Sequence, residues 1–186
     1  FLSDLSVGDF TKGLNPVMQE QQLEVMMTTL DFLTNKTAHE LMQEFDGLIY
    51  YAFDTDHHLD LLFELSLKQF PVVILDKKIY ELPFPTVLSD NFQGGSLATE
   101  HLIKEGHQKI AYLFGEQTHP QSVRQRYLGY LEALNKARLP FHTPLDDKSA
   151  TIDTLMNYVN DHKVTAFVCE NDLVAIQTMN YLKQHG

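Results

Sequence analysis

The stretch from Thr86 to Gly115, TVLSDNFQGGSLATEHLIKEGHQKIAYLFG, decides the fold. It reads as a strand end, a capped helix, a sharp stop and a new strand. Asp90 can cap the helix, and Gln93, three residues on, can reach back in a variant of the capping box. Gly94 and Gly95 open the helix without side chains, so another backbone or a ligand can come close. Ala98, Leu102 and Glu105 share one face, which Leu97 and His101 widen. Lys104 in the last turn suits the macrodipole, and Gly106 supplies a left-handed stop. Ile110 to Phe114 alternate poorly and read as a buried strand of a parallel sheet.

Outward from this run, strands and helices keep alternating, which argues for α/β layering. Phe1 to Asp4 reads as the tail of a first strand, Asn15-Pro16 as a helix opening, and Val25 to Phe32 as a second strand. Thr37 and Glu40 predict a capping box, with Leu41, Met42 and Phe45 on one face of the helix that follows. Leu48 to Phe53 is a strand. Leu59, Leu62, Phe63, Ser66 and Phe70 recur at helical spacing, and Pro71 ends that helix. Val72 to Leu75 is a buried strand. Tyr80 to Pro85 (YELPFP) can only be a connection.

In the second half, Ser122 and Gln125 predict another capping box, above a buried stripe of Tyr127, Tyr130, Leu131 and Leu134. Leu139 to Asp147 (LPFHTPLDD) reads as a loop in which only Phe141-His142 could add a strand. Ile152 to Val159 is helical, Val164 to Cys169 a strand, and Leu173 to Gln184 a helix stopped by Gly186. There is no internal repeat and no low-complexity tract.

The bulk composition narrows the function. With 186 residues, 44% hydrophobic and 21% charged, the chain is globular and large enough for a sizeable core. A formal net charge of -11 repels phosphate, which speaks against nucleic-acid binding by these residues. The single cysteine, Cys169, excludes an internal disulfide and fits a reducing compartment, here the cytoplasm. No apolar run is long enough to span a bilayer, and the first residues carry no visible secretion signal. The chain reads as a fragment at both ends.

Ligands of open parallel sheets sit beyond the carboxyl ends of the strands. Those ends carry Ser3-Asp4, Asp31, Asp54, Asp76, Glu116 and Glu170-Asn171-Asp172. Carboxylates and amides accept from and donate to several hydroxyls at once, which suits a polyol. Equally, such residues cap helices. Arg126 lies one turn into its helix on the face of Ser122 and Gly129, where it could grip a ligand oxygen through two parallel bonds or tie helix to loop in a salt bridge. Arg124 points to another face. Catalytic signatures are missing: there is no G-x-G-x-x-G, no Walker loop and no G-x-S-x-G elbow. His39, His57 and His58 show no ligand spacing with Cys169, so neither a metal nor another cofactor is expected.

The opening stretch also resembles the effector-binding core of the LacI/GalR family of bacterial transcription regulators, through S-D-N-x-x-G-G-x-x-A-x-x-H-L-x-x-x-G-H-x-x-I-A-x-L-x-G. Phe45-Asp-Gly-Leu-Ile-Tyr50, Phe70-Pro-Val-Val-Ile-Leu-Asp76, Ser122-Val-Arg-Gln-Arg-Tyr-Leu-Gly-Tyr130 and Thr165-Ala-Phe-Val-Cys-Glu-Asn-Asp172 are similar to further family segments, in family order. The family usually has a clear strand where Leu139 to Asp147 stands. The resemblance implies two parallel-sheet lobes of periplasmic-binding-protein-like type with a ligand cleft between them. The N-terminal lobe would span 1–88 and an incomplete C-terminal lobe 89–186.

The resemblance further implies a sugar or related metabolite as effector, a homodimer, and operator DNA read by a helix-turn-helix head that these residues do not include. Residue by residue, it assigns effector contacts to Arg126 and Asn171. It adds Asp90 and Gln93 near the cleft, and Ser3, Asp4 and Phe10 by position alone. His101 and His107 belong to the matching string and are expected to pack rather than catalyse. A stand-alone solute-binding protein of the same fold is the alternative, and an enzyme using the strand-end carboxylates a third reading.

Overall fold

Short runs dense in branched and aromatic residues become the strands here, because each finds a parallel partner to hydrogen-bond on the next crossover. The structure, a computed structural model, describes residues 4–51, 58–79, 81–115, 120–143 and 155–185. In chain order its elements are α1 (Asp4–Glu20), α2 (Asp31–Thr34), α3 (Ala38–Glu44), β1 (Leu48–Tyr51), α4 (Leu59–Leu67), β2 (Val72–Leu75), β3 (Thr86–Val87), α5 (Asn91–Lys104), β4 (Ile110–Leu113), α6 (Gln121–Lys136), α7 (Leu155–His162), β5 (Ala166–Cys169) and α8 (Asp172–His185). They build two parallel sheets, β1-β2-β3 and β4-β5.

The first sheet pairs Leu48 with Val72 and Tyr51 with Leu75. Tyr50, Val72 and Ile74 face a core completed by Leu41 of α3 and by Leu62 and Leu65 of α4. The capping box of α3 is present: the Glu40 N–H donates to Thr37 Oγ1 (3.2 Å), and the Thr37 N–H to Glu40 Oε2 (2.8 Å). In the second sheet every residue of β4 is buried. Tyr112 and Phe114 stack among Tyr127 and Tyr130 of α6, with ring centroids 4.8 to 5.8 Å apart. Gly106, at φ +93°, ends α5 as expected.

Several expectations are corrected. Asp4 opens a helix rather than ending a strand; Phe1 to Ser3 lie outside the described residues. Asn15-Pro16 opens nothing, since Pro16 sits exposed inside α1. Residues 23–29 form no strand and are exposed, and Phe32 belongs to α2. The open outer edge of β1 is not taken up by residues 23–29, which lie exposed without a ladder partner, and strand propensity without a partner is weak.

Leu41 and Leu62 are buried as expected, but Met42 and Phe63 are exposed and Leu65, not singled out, is buried with Leu62. Gln69, at φ +57°, turns the chain out of α4 before Pro71 is reached. The buried face of α5 is Gly95, Ser96 and Thr99 rather than Ala98 and Leu97. No Ser122–Gln125 box forms: α6 starts a residue earlier, behind Pro120, whose φ of -59° already suits a helix.

The loop after α6 seals the open edge of β4. The Tyr112 N–H donates to Thr143 Oγ1 at 2.9 Å, and the Tyr127 hydroxyl donates to the Thr143 carbonyl at 2.6 Å. One threonine thus does what an added strand would. Thr143→Val keeps the shape and leaves the buried Tyr112 N–H without its acceptor. It should destabilise the chain by about 1–3 kcal/mol in urea unfolding; an unchanged midpoint would mean the loop does not seal this edge.

Candidate functional site

A crevice lies between the carboxyl end of the first sheet and the N-termini of α5 and α6, helices that pack on the second sheet. From the first sheet come Asp76, just beyond β2, and Lys78. From the helices come Asp90 and Asn91 at the start of α5, and Gln121 and Ser122 at the start of α6. The space between them is about 390 Å³, in the range of small-molecule sites. A hydrogen bond crosses it: the Lys78 N–H donates to Gln121 Oε1 at 2.9 Å. A second cavity, of about 360 Å³, lies at the other end of the first sheet against Phe70, Pro71, Pro83, Phe84 and Pro85. Prolines and rings offer few groups to orient a polar ligand, so the crevice is the better site.

Two glycines set the back wall. At Gly95 an added Cβ would fall onto the Arg126 carbonyl and 2.8 Å from its Cα. At Gly129 it would fall onto the Phe92 carbonyl and 2.7 Å from the Ser96 nitrogen. The helices α5 and α6 therefore cross backbone against backbone. Gly95 serves a neighbouring backbone, one of the two uses the sequence allowed; Gly94 meets nothing within 4 Å.

That crossing fixes Arg126. Its Nε donates to Asn91 Oδ1 at 2.9 Å and its Nη1 to the Glu170 carbonyl at 2.6 Å. Both acceptors are neutral, and none of the ion pairs among the described residues involves Arg126. The guanidinium thus ties α6 to α5 and β5 directly behind Asn91, half-buried, with its charge not cancelled by a paired carboxylate.

The other expected residues fall differently. Asn171 caps α8: its Oδ1 accepts from the Val174 N–H at 2.9 Å, while its Nδ2 donates to Glu170 Oε1 at 3.2 Å. Asp90 caps α5 by accepting from the Gln93 N–H at 2.9 Å and also lines the crevice. Gln93 contributes only that N–H, and its side chain is exposed. Ser3 lies outside the described residues, as does the side chain of Asp4; Phe10 lies on α1. Asp54 and Glu116 also lie outside them.

Asn91 and Gln121 were not singled out from sequence. Asn91 had a signal, as the residue after the Asp90 cap; Gln121 had none, since only the approach of the two sheets gives it Lys78 as partner. Among the described residues no group of three or more His, Cys, Asp or Glu could hold a metal ion. No described helix is long and apolar enough to cross a membrane.

Comparison with known proteins agrees with this geometry. Residues 18–186 match the family described as periplasmic binding proteins and sugar binding domain of LacI family. The chain is 30% identical over 182 residues to the maltose regulon regulatory protein MalI of Escherichia coli, covering 90% of this chain and 52% of that protein. It is 28% identical over 186 residues to the probable transcriptional repressor ExuR of Bacillus subtilis, covering 96% and 54%. It is also 28% identical over 165 residues to the repressor PurR of Mannheimia succiniciproducens, covering 84% and 48%. The chain thus spans about half the length of these relatives.

Among solved structures it superposes on a putative ribose operon repressor from Burkholderia thailandensis with a TM-score of 0.77, at 22% identity, covering all of this chain and 71% of that one. A LacI family regulator from Enterococcus faecium, with bound ribose, gives 0.74 at 23% identity, covering 100% and 70%. At these identities the structures establish the fold: α/β, two parallel sheets, periplasmic-binding-protein-like.

Proposed function

The chain belongs to the family of periplasmic binding proteins and LacI-type sugar-binding domains, and we propose that it is the effector-sensing part of a bacterial transcription regulator. A sugar or related small metabolite enters the crevice, touches groups from both sheets and favours one relative orientation of the two halves. Such a ligand shifts the equilibrium only as far as its affinities for the two orientations differ. The division between the halves falls at Leu88-Ser89. A DNA-reading head in the same polypeptide, paired through a homodimer, would report the shift to an operator in the cytoplasm.

The observation that carries this reading is the polar crevice spanned by Lys78 and Gln121 with Arg126 behind it. Arg126 and Asn91 are its anchors, with Asp90 at the rim; Asn171 acts through Glu170. The relatives are repressors and a regulatory protein, which supports the regulator over a stand-alone solute-binding protein. No catalytic role is assigned, since among the described residues no serine of the crevice is hydrogen-bonded to a base that could activate it.

A melting screen of the chain against uncharged sugars, sugar phosphates and uronates tests the reading. A true effector at about 100 times its Kd should stabilise the chain by about 2.7 kcal/mol, with a concentration-dependent Tm. No shift with any compound, or turnover of one of them, would count against it.

A further inference from the structure

The strap that follows α6 is packed against its own chemistry. It turns Phe141 to solvent, 56% exposed, and tucks His142 and Thr143 inward, Thr143 to 0%. An apolar side chain is ordinarily the one buried, so a histidine in that place calls for a reason. The His142 Nε2 is shut off from water and has no hydrogen-bond partner among the described residues. Its ring lies 6.3 Å, centroid to centroid, from that of His162 in the last turn of α7.

A neutral imidazole tolerates this site, because an unmet acceptor costs less than an unmet charge. A protonated one carries N–H groups on both nitrogens, and Nε2 would then bury a charged donor with nothing to accept it. Among the described residues the titratable groups that face the ring are His162, from α7, and Lys109, the residue before β4, and neither offers a negative charge. Burial holds the His142 imidazole below its ordinary range, and His162 and then Lys109 push it the same way. The unfolded chain therefore takes up this proton at a higher pH than the packed ring does. Stability is full above the ordinary imidazole range and falls as pH drops through it towards the packed ring's lower one.

We propose that His142 is a pH-operated latch on the edge of β4. Its chain neighbour Thr143 accepts from the Tyr112 N–H at 2.9 Å and takes the Tyr127 hydroxyl on its carbonyl at 2.6 Å. At neutral pH the uncharged ring packs beside His162 and keeps Thr143 in place. In mild acid the charged ring leaves for water, draws Thr143 off and opens an unpaired strand edge in the second sheet. Tyr127 loses its acceptor in the same step, which loosens α6 on β4 one residue from Arg126. The latch works without an effector and stands apart from the crevice reading.

Amide hydrogen exchange of the chain, followed by NMR from about pH 7.5 to about pH 5 and corrected for the intrinsic effect of pH, tests this. Opening at the Tyr112 amide should rise severalfold across that range, while the amides of β2 change less. His142→Phe keeps a ring in the same place but cannot be charged, and should abolish the rise. Thr143→Val should exchange fast at Tyr112 at every pH, because the latch has nothing left to hold. If His142→Phe does not fold, His162→Phe takes its place and should shrink the rise. Three results overturn the proposal: a Tyr112 amide that follows those of β2 throughout, a rise that survives unchanged in the folded ring variant, or parent-like protection of that amide in Thr143→Val.

Discussion

Gly129→Ala should destabilise the chain by about 3 kcal/mol or more, the upper end of what overpacking costs, because the new methyl group meets backbone and not a movable side chain. Its Cβ would stand on the Phe92 carbonyl and 2.7 Å from the Ser96 nitrogen, both inside α5, whose own hydrogen bonds resist displacement. Gly95→Ala should act the same way from the other helix, against Arg126. The two changes push the same helices apart, so their costs should combine less than additively. Gly94→Ala is the internal control. That position is open, and replacing an exposed helical glycine by alanine should stabilise by about 0.5–1 kcal/mol. Urea unfolding of the three variants gives the comparison. A Gly129→Ala midpoint equal to that of the parent chain would mean that α5 and α6 do not cross in contact.

Arg126→Ala should weaken effector binding about 100-fold, equivalent to about 2.7 kcal/mol, in the range expected for charge-assisted hydrogen bonds in a partly buried site. The variant should still fold, with a modestly lower Tm from losing its bonds to Asn91 and Glu170. Arg126→Lys should not restore affinity, since an ammonium cannot reach Asn91, the Glu170 carbonyl and a ligand oxygen from one planar fork. Arg124→Ala, on an exposed part of the same helix, should bind as the parent does. Equal affinity in Arg126→Ala and the parent chain would remove Arg126 from the site.

The candidate site was partly legible for a physical reason. Arg126 could be chosen because Gly129, one turn on, marks close approach, and the helix start marks a sheet's carboxyl edge. The ambiguity between ligand grip and salt bridge needed coordinates: the partners are the amide of Asn91 and the carbonyl of Glu170, separated from Arg126 by 35 and 44 residues. Asn171 and Asp90 show the reverse case. Each caps its helix, a local bond to a residue three positions on, which is why the capping reading could be drawn from spacing alone.

By itself the sequence determined what depends on neighbours along the chain: the Thr37–Glu40 box, the Gly106 stop, the strands Val72–Leu75 and Ile110–Leu113, and the parallel order they imply. These rest on short-range hydrogen bonds and on hydrophobic runs whose period is visible directly. Only the tertiary structure decided that Val25 to Phe32 would not become a strand, that α5 would bury its glycines rather than Ala98, and that Thr143 would close the edge of β4. A strand exists only with a partner, and a helix face is chosen by what packs on it. Both depend on residues far away in sequence.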